Sequence, residues 1–358
     1  MKRVHNFSAG PAALPTSVLE QAQSELPDYQ GKGASIMEMS HRGPEYTQVE
    51  AQAKERLTRL LGLGDDFEIL FLQGGASQQF MMVPYNFLSE GQTADYINTG
   101  SWSTKAIKEA TRFGTVHVPF SSEDGNFNRV PRQEELTFSG DAEYVHFTSN
   151  NTIFGTQFPT EPDTAGIPLV TDASSDFLCR PIDVKKYGLI YAGAQKNLGP
   201  AGVAVVLVRK DFLSKGKTDV PTILKYSTHA EKLFHTPPTY TVYLVNLVLG
   251  WVEANGGLEG FKKKNEEKAA LLYQELDADD FYRGTAETAS RSLMNVTFRL
   301  GTEELEAQFL KEAANHDLVA LKGHRSVGGI RASMYNACSL ETVQALVGFM
   351  QDFRSRNG

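Results

Sequence analysis

One lysine, Lys196, stands in a run of small residues, Gly193-Ala194-Gln195-Lys196-Asn197-Leu198-Gly199, that joins two apolar stretches. An ammonium is costly to bury unless its pKa falls, and a lysine of lowered pKa is the usual amine for Schiff-base chemistry with a carbonyl. Small neighbours leave room for a flat cofactor, although the same run also suits an ordinary surface turn. Upstream, Asp172 directly follows the apolar stretch Leu169-Val170-Thr171, at the carboxyl end of an expected strand, where open α/β sheets gather their ligands. A carboxylate there pairs with a pyridinium nitrogen and keeps the ring an electron sink, or it merely caps a turn. The segment Gln73-Gly74-Gly75-Ala76-Ser77 follows another strand and opens a helix. Free backbone N–H groups and the positive end of the helix dipole make such a turn a phosphate seat, to which Ser77 adds a hydroxyl. Trp102 follows a further strand and either stacks on an aromatic cofactor or fills a core. Each element alone has an ordinary structural reading. In the order phosphate cradle, stacking aromatic, aspartate and lysine, they make a site for pyridoxal 5'-phosphate.

These residues need strands to carry them. Apolar runs at 68–72, 94–98, 116–119, 144–148, 169–171, 189–192 and 203–208 read as strands, several of them nearly continuous, as in a mostly parallel sheet buried on both faces. Helical stretches at 77–88 and 103–113 lie between some of them, giving an α/β layer architecture. Before the sheet, a helix is expected over 18–26 with Thr16 or Ser17 as its N-cap, and another over 45–61, where Val49, Ala53, Leu57, Leu60 and Leu61 recur at helical spacing. After it, an apolar helix at 240–253 ends at Asn255-Gly256-Gly257, and a charged helix follows at 258–276. Strands at 294–299 and 328–332 and helices at 303–316 and 339–355 complete a smaller α+β segment. The expected division is a large cofactor-binding domain at 16–256 and a small domain made of 1–15 with 257–358. The cluster Lys262-Lys263-Lys264 reads as a solvated helix face.

At 358 residues the chain accommodates two domains. A formal net charge of -8 and a pI near 5.6 argue against a general nucleic-acid binder, so anionic ligands must be drawn by local Arg and His. Two cysteines, Cys179 and Cys338, lie in no disulfide or metal pattern and read as small buried hydrophobes in a reducing compartment. The first residues lack the apolar core of a signal peptide, and no apolar run approaches the ~20 residues of a membrane span. A soluble, cytoplasmic protein is expected.

The chain also resembles, from end to end, the phosphoserine aminotransferases, class V aminotransferases of the type I pyridoxal-phosphate fold. The resemblance is carried by Asn6-Phe7-Ser8-Ala9-Gly10-Pro11-Ala12, Met37-Glu38-Met39-Ser40-His41-Arg42-Gly43, Arg180-Pro181-Ile182-Asp183-Val184, Tyr191-Ala192-Gly193-Ala194-Gln195-Lys196-Asn197, Thr236-Pro237-Pro238-Thr239, Lys322-Gly323-His324-Arg325 and Gly328-Gly329-Ile330-Arg331-Ala332-Ser333. It implies that Lys196 holds the cofactor and shuttles a proton, that Asp172 pairs with the pyridine nitrogen and that Trp102 stacks on the ring. Ala76 and Ser77, with Thr152, Gln195 and Thr236 from the partner subunit, would hold phosphate or ring oxygens. His41, Arg42, His324, Arg325 and Arg331 match substrate-binding positions, some reaching across a homodimer with shared sites. The implied reaction moves an amino group between L-glutamate and 3-phosphohydroxypyruvate, giving 2-oxoglutarate and O-phospho-L-serine in serine biosynthesis. Arg forks and His donors suit two substrates that each carry two anionic groups. Some bacterial members also transaminate 4-phosphohydroxy-threonine in pyridoxine biosynthesis, and the residues leave that activity open. Two positions depart from the pattern: Ser77 stands where some members have Arg, and His235 stands where Asn is common before Thr236, its ring nitrogen the candidate to replace the amide at the cofactor phosphate. A cysteine desulfurase or lyase of the same fold is the alternative reading, and a binding protein without turnover is a third.

Overall fold

The computed structural model describes residues 3–358; Met1 and Lys2, within the expected small domain, lie outside the described residues. Two helices precede the main sheet. Helix α1 (Thr16–Glu25) starts one residue before the expected cap: Pro15 occupies the N-cap position, and neither Thr16 nor Ser17 caps the helix. Proline's fixed φ and missing N–H suit the point where the chain turns into a helix. Helix α2 (Pro44–Leu61) buries Tyr46, Val49, Ala53, Leu57 and Leu61 along one stripe and stops at Gly62, which takes a left-handed conformation at φ 63°.

The main sheet has seven strands: β1 (Phe67–Leu72), β2 (Thr93–Tyr96), β3 (Thr115–His117), β4 (Ala142–Thr148), β5 (Leu169–Asp172), β6 (Tyr187–Gly193) and β7 (Ala204–Arg209). Their spatial order is β1-β7-β6-β5-β4-β2-β3. All neighbours are parallel except β7, which runs antiparallel to both β1 and β6. Helices α3 (Gly75–Phe87) and α4 (Ser101–Ala110) follow β1 and β2. Strands β5 and β6 are buried along their whole length, which explains their unbroken apolar character. One apolar cluster, including Leu57, Ile190, Val205 and Val248, lies on one face of this sheet; another, including Phe80, Tyr144, Tyr191 and Val206, lies on the other.

Helix α5 (Thr239–Ala254) ends at Asn255, and Gly256 turns the chain at φ 96° into α6 (Gly257–Leu276). A three-stranded antiparallel sheet follows, β8 (Arg283–Gly284), β9 (Asn295–Arg299) and β10 (Ile330–Ser333), with α7 (Glu303–Asn315) and α8 (Leu340–Asn357). A separate apolar cluster holds this part together, and Phe7 from the N-terminal segment is in it. That segment is anchored by a two-residue parallel ladder, His5–Asn6 against Leu318–Val319. Lys262, Lys263 and Lys264 are exposed, and Cys179 and Cys338 are buried free thiols. Among the described residues no helix is long and apolar enough to cross a membrane.

Candidate active site

The register of the main sheet brings the chemistry-bearing turns to one end. Ala204 lies opposite Leu72 of β1 and also opposite Gly193 of β6, so the Gly74-Gly75 turn and the Lys196 turn leave the sheet from the same row. Asp172 lies opposite Thr148 on one side and Tyr191 on the other. The carboxyl ends of β4, β5 and β6 therefore open on one crevice, as expected of an open α/β sheet.

Lys196 is half-buried, and its Nζ donates to Thr152 Oγ1 at 2.7 Å. It also lies 5.6 Å from the Trp102 ring centroid. Burial pushes its pKa down to about 8, Asp172 opposes the fall, and Arg331 adds to it. Asp172 is buried, and burial raises its carboxyl while the Lys196 ammonium and Ser174 pull it back. Both hydrogen bonds to the Asp172 carboxylate, from the Ser174 amide (3.0 Å) and hydroxyl (2.6 Å), fall on Oδ1. The second oxygen is left for a partner. Ser174 is in turn fixed by the Gly193 amide, which donates to its Oγ at 3.0 Å. Gly10 completes the wall: a Cβ there would stand 3.1 Å from Lys196 Cγ, on a backbone at φ 137°.

The phosphate cradle is the start of α3. Gly74 caps it at φ 86°, and a side chain there would collide with Gln78. The amides of Gly75, Ala76 and Ser77 have no preceding helical carbonyl to donate to. Ala76 and Trp102 pack against the same apolar cluster, and Phe80 of α3 lies 6.4 Å from the Trp102 ring. Gln195 sits directly before the lysine, its carbonyl accepting from the Ala12 amide at 2.9 Å.

On the small-domain side, Arg331 is half-buried and its Nη1 donates to the Thr152 carbonyl at 3.4 Å. One residue, Thr152, thus joins the arginine and the lysine. His324 Nδ1 accepts from the Ser326 amide at 3.3 Å and lies 2.7 Å from the Ser326 hydroxyl, the pattern of a neutral imidazole. Burial, then Arg331, Arg325 and Lys105, lower its pKa. Arg325 is exposed.

Four expected residues lie elsewhere. His235 packs its ring 5.1 Å from His229, in a pocket of about 250 Å³ bordered by Tyr46 and Glu50. Both its ring nitrogens are buried without a partner, and burial with the neighbouring His229 lowers its pKa. His41 bears on His235 electrostatically, and its Nε2 is likewise unpartnered. Arg42 is exposed, and the Thr236 carbonyl accepts from Gln73 Nε2 at 3.2 Å. Among the described residues no hydrogen bond or ion pair joins these four to Lys196 or Asp172. Sequence reading missed Ser174, Tyr335 and Lys105. Ser174, two residues after Asp172, had a signal in the Asx-turn spacing. Tyr335 had none: its hydroxyl donates to the Ala9 carbonyl at 2.7 Å, 326 residues away in sequence, and accepts from Asn295 at 3.3 Å, 40 residues away.

The donor set fits pyridoxal phosphate: an amine of lowered pKa for its aldehyde, a free carboxylate oxygen for its ring nitrogen, an aromatic face, and helix-start amides for its phosphate. Nothing here supports sulfur chemistry, because Cys179 and Cys338 are buried and burial pushes their thiols up, Cys338 to about 11. Residues 4–346 match the family model for class V aminotransferases. The chain is 57% identical to the phosphoserine aminotransferase of Desulfosudis oleivorans over 100% of this chain and 99% of that protein. The solved phosphoserine aminotransferase of Bacillus circulans subsp. alkalophilus superposes with a TM-score of 0.98 at 52% identity, covering 100% of both chains. The pyridoxal-phosphate-bound enzyme of Trichomonas vaginalis superposes at 0.93 and 39% identity, covering 98% of this chain and 100% of that one. The chain belongs to the class V aminotransferases and, within them, to the phosphoserine aminotransferases.

Proposed function

We propose that this protein interconverts 3-phosphohydroxypyruvate and O-phospho-L-serine, with L-glutamate and 2-oxoglutarate as the other pair, using pyridoxal 5'-phosphate at Lys196. The observation that carries the reading is the meeting of Lys196 and Arg331 at Thr152, with Asp172 behind them. Bound there, pyridoxal phosphate supplies an aldehyde for amine exchange and a ring that takes up the electron pair freed at the substrate's α-carbon. Lys196 Nζ then holds and returns the proton at that carbon, its lowered pKa fitting it for both directions near neutral pH. Asp172 keeps the ring nitrogen charged through its free oxygen. Arg331 offers its fork to the α-carboxylate beside the lysine, while His324 and Arg325 stand further out for the second anionic group.

The supporting experiment is a half-reaction. Glutamate alone shifts the bound cofactor's visible absorbance to that of the pyridoxamine form, and 3-phosphohydroxypyruvate restores it; a protein that neither glutamate nor phosphoserine shifts is not this enzyme. The handles of 4-phosphohydroxy-threonine are the same, so the proposal extends to it, with kcat/KM for the two phosphorylated substrates as the measure. Two free buried thiols suit a reducing, cytoplasmic setting. The domain division we propose is 16–256 against 1–15 with 257–358.

A further inference from the structure

We infer that Lys105 is a specificity-determining residue, whose ammonium joins His324 and Arg325 to seat the phosphate group of the substrate. Lys105 lies one turn beyond Trp102 on α4, so the two side chains share a helix face. Its Nζ is 4.3 Å from the Trp102 ring centroid, and Lys196 Nζ is 5.6 Å from the same centroid. One indole therefore links the reacting amine to a second cation. The loop bearing His324 and Arg325 is held beside that indole, because its Val327 packs with Trp102 on the small apolar cluster of Phe127, Ile153 and Phe154. The field of Lys105 reaches His324.

Lys105 is exposed and makes no ion pair or hydrogen bond among the described residues. The nearest carboxylate on its own helix, Glu109, is taken by Arg112 at 3.3 Å. A cation without a carboxylate partner, bearing together with Arg325 on the same imidazole, favours an anion. The anion's charge decides which one. A phosphate monoester carries about -1.5 to -2 near neutral pH, against -1 for the side chain of glutamate. A compact ammonium is a point charge, so its attraction scales with ligand charge more than with ligand shape. Lys105 thus favours the phosphorylated substrate over glutamate, although both amino acids donate to the same form of the cofactor.

This inference rests on the phosphoserine reading, and the test separates the two. Stopped-flow half-reactions of the holoenzyme with phosphoserine and with glutamate give kcat/KM for each. In Lys105→Met the ratio of phosphoserine to glutamate is expected to fall about tenfold. In Lys105→Arg most of the ratio returns, and added salt lowers the wild-type ratio more than the Met variant's. An equal loss for both amino acids, or a loss of cofactor affinity with the ratio unchanged, would make Lys105 only a packing partner of Trp102 and overturn the inference. A wild-type enzyme that reacts with glutamate but not with phosphoserine would remove the phosphoserine reading itself, and Lys105 with it.

Discussion

An amine reacts through its lone pair, so a lysine at its ordinary pKa is almost wholly protonated and inert at neutral pH. Burial gives Lys196 a value of about 8, and Asp172 limits the fall. In the protein without cofactor, the rate at which a small acylating reagent modifies Lys196, followed on its own peptide, should rise with pH around a midpoint near 8. Asp172→Asn removes the stabilising carboxylate and should move that midpoint lower still. A midpoint at 10 or above would show that the ammonium is not desolvated. The same shift has a stability sign. Between about 8 and the ordinary 10.5 the unfolded chain binds the proton and the folded one does not, so this group's contribution to stability rises with pH across that window. Lys196 and Asp172 were legible in the sequence because each stands at the end of an unbroken apolar strand. Ser77 and Ala76 were legible through the glycines before them. Lys105 was not, because a helix-face lysine gains meaning only from the ring and the loop beside it.

Helix α6 shows the same division at the scale of elements. Its first turns, through Leu258 and Phe261, pack with the large cluster, while Ala269, Leu272 and Leu276 belong to the small one. Its pattern and its glycine break at Gly256 were readable; its place astride two cores was not, since both faces look alike in sequence. Between those cores it carries Lys268, buried, with Nζ donating to the carbonyls of Met334 (2.9 Å), Tyr335 (2.9 Å) and Cys338 (3.0 Å). The turn so held follows directly on β10, the strand of Arg331. Burial lowers the Lys268 pKa to about 8. Lys268→Met leaves three carbonyls without their donor and should cost roughly 2–4 kcal/mol in denaturant unfolding. The loss should grow when wild type and variant are compared above pH 8, because up to the ordinary 10.5 the unfolded wild type keeps the proton that the folded one gives up, and wild-type stability rises with pH. An unchanged midpoint would mean that water replaces the ammonium. Other elements left little trace in the sequence. The two-residue strand β8 is exposed and has no alternation to reveal it, and the apolar run of β7 gives no sign that it is antiparallel in an otherwise parallel sheet.

At the scale of the molecule, the expected site residues fall into two groups within one chain. Lys196, Asp172, Thr152, Trp102, His324 and Arg331 form the first; His41, Arg42, His235 and Thr236 gather near Gln73 and the pocket of Tyr46 and Glu50. Arg42 of the second group is exposed, as a side chain that reaches another chain's site must be. We propose a homodimer in which the second group of one subunit serves the first group of the other. Complementation distinguishes this from a site complete in one chain. Lys196→Ala and Arg42→Ala are each expected to lose nearly all activity as pure proteins. If sites are shared, a mixed dimer places both lesions in one site and leaves the other intact. Random re-association of equal amounts, after mild dissociation, should then recover about a quarter of wild-type activity, since half the dimers are mixed and each has one good site of two. If both groups served the same chain's site, every site in the mixture would carry one lesion or the other, and no activity would return. The recovered fraction should also fall on dilution as dimers separate, taking cofactor absorbance with it.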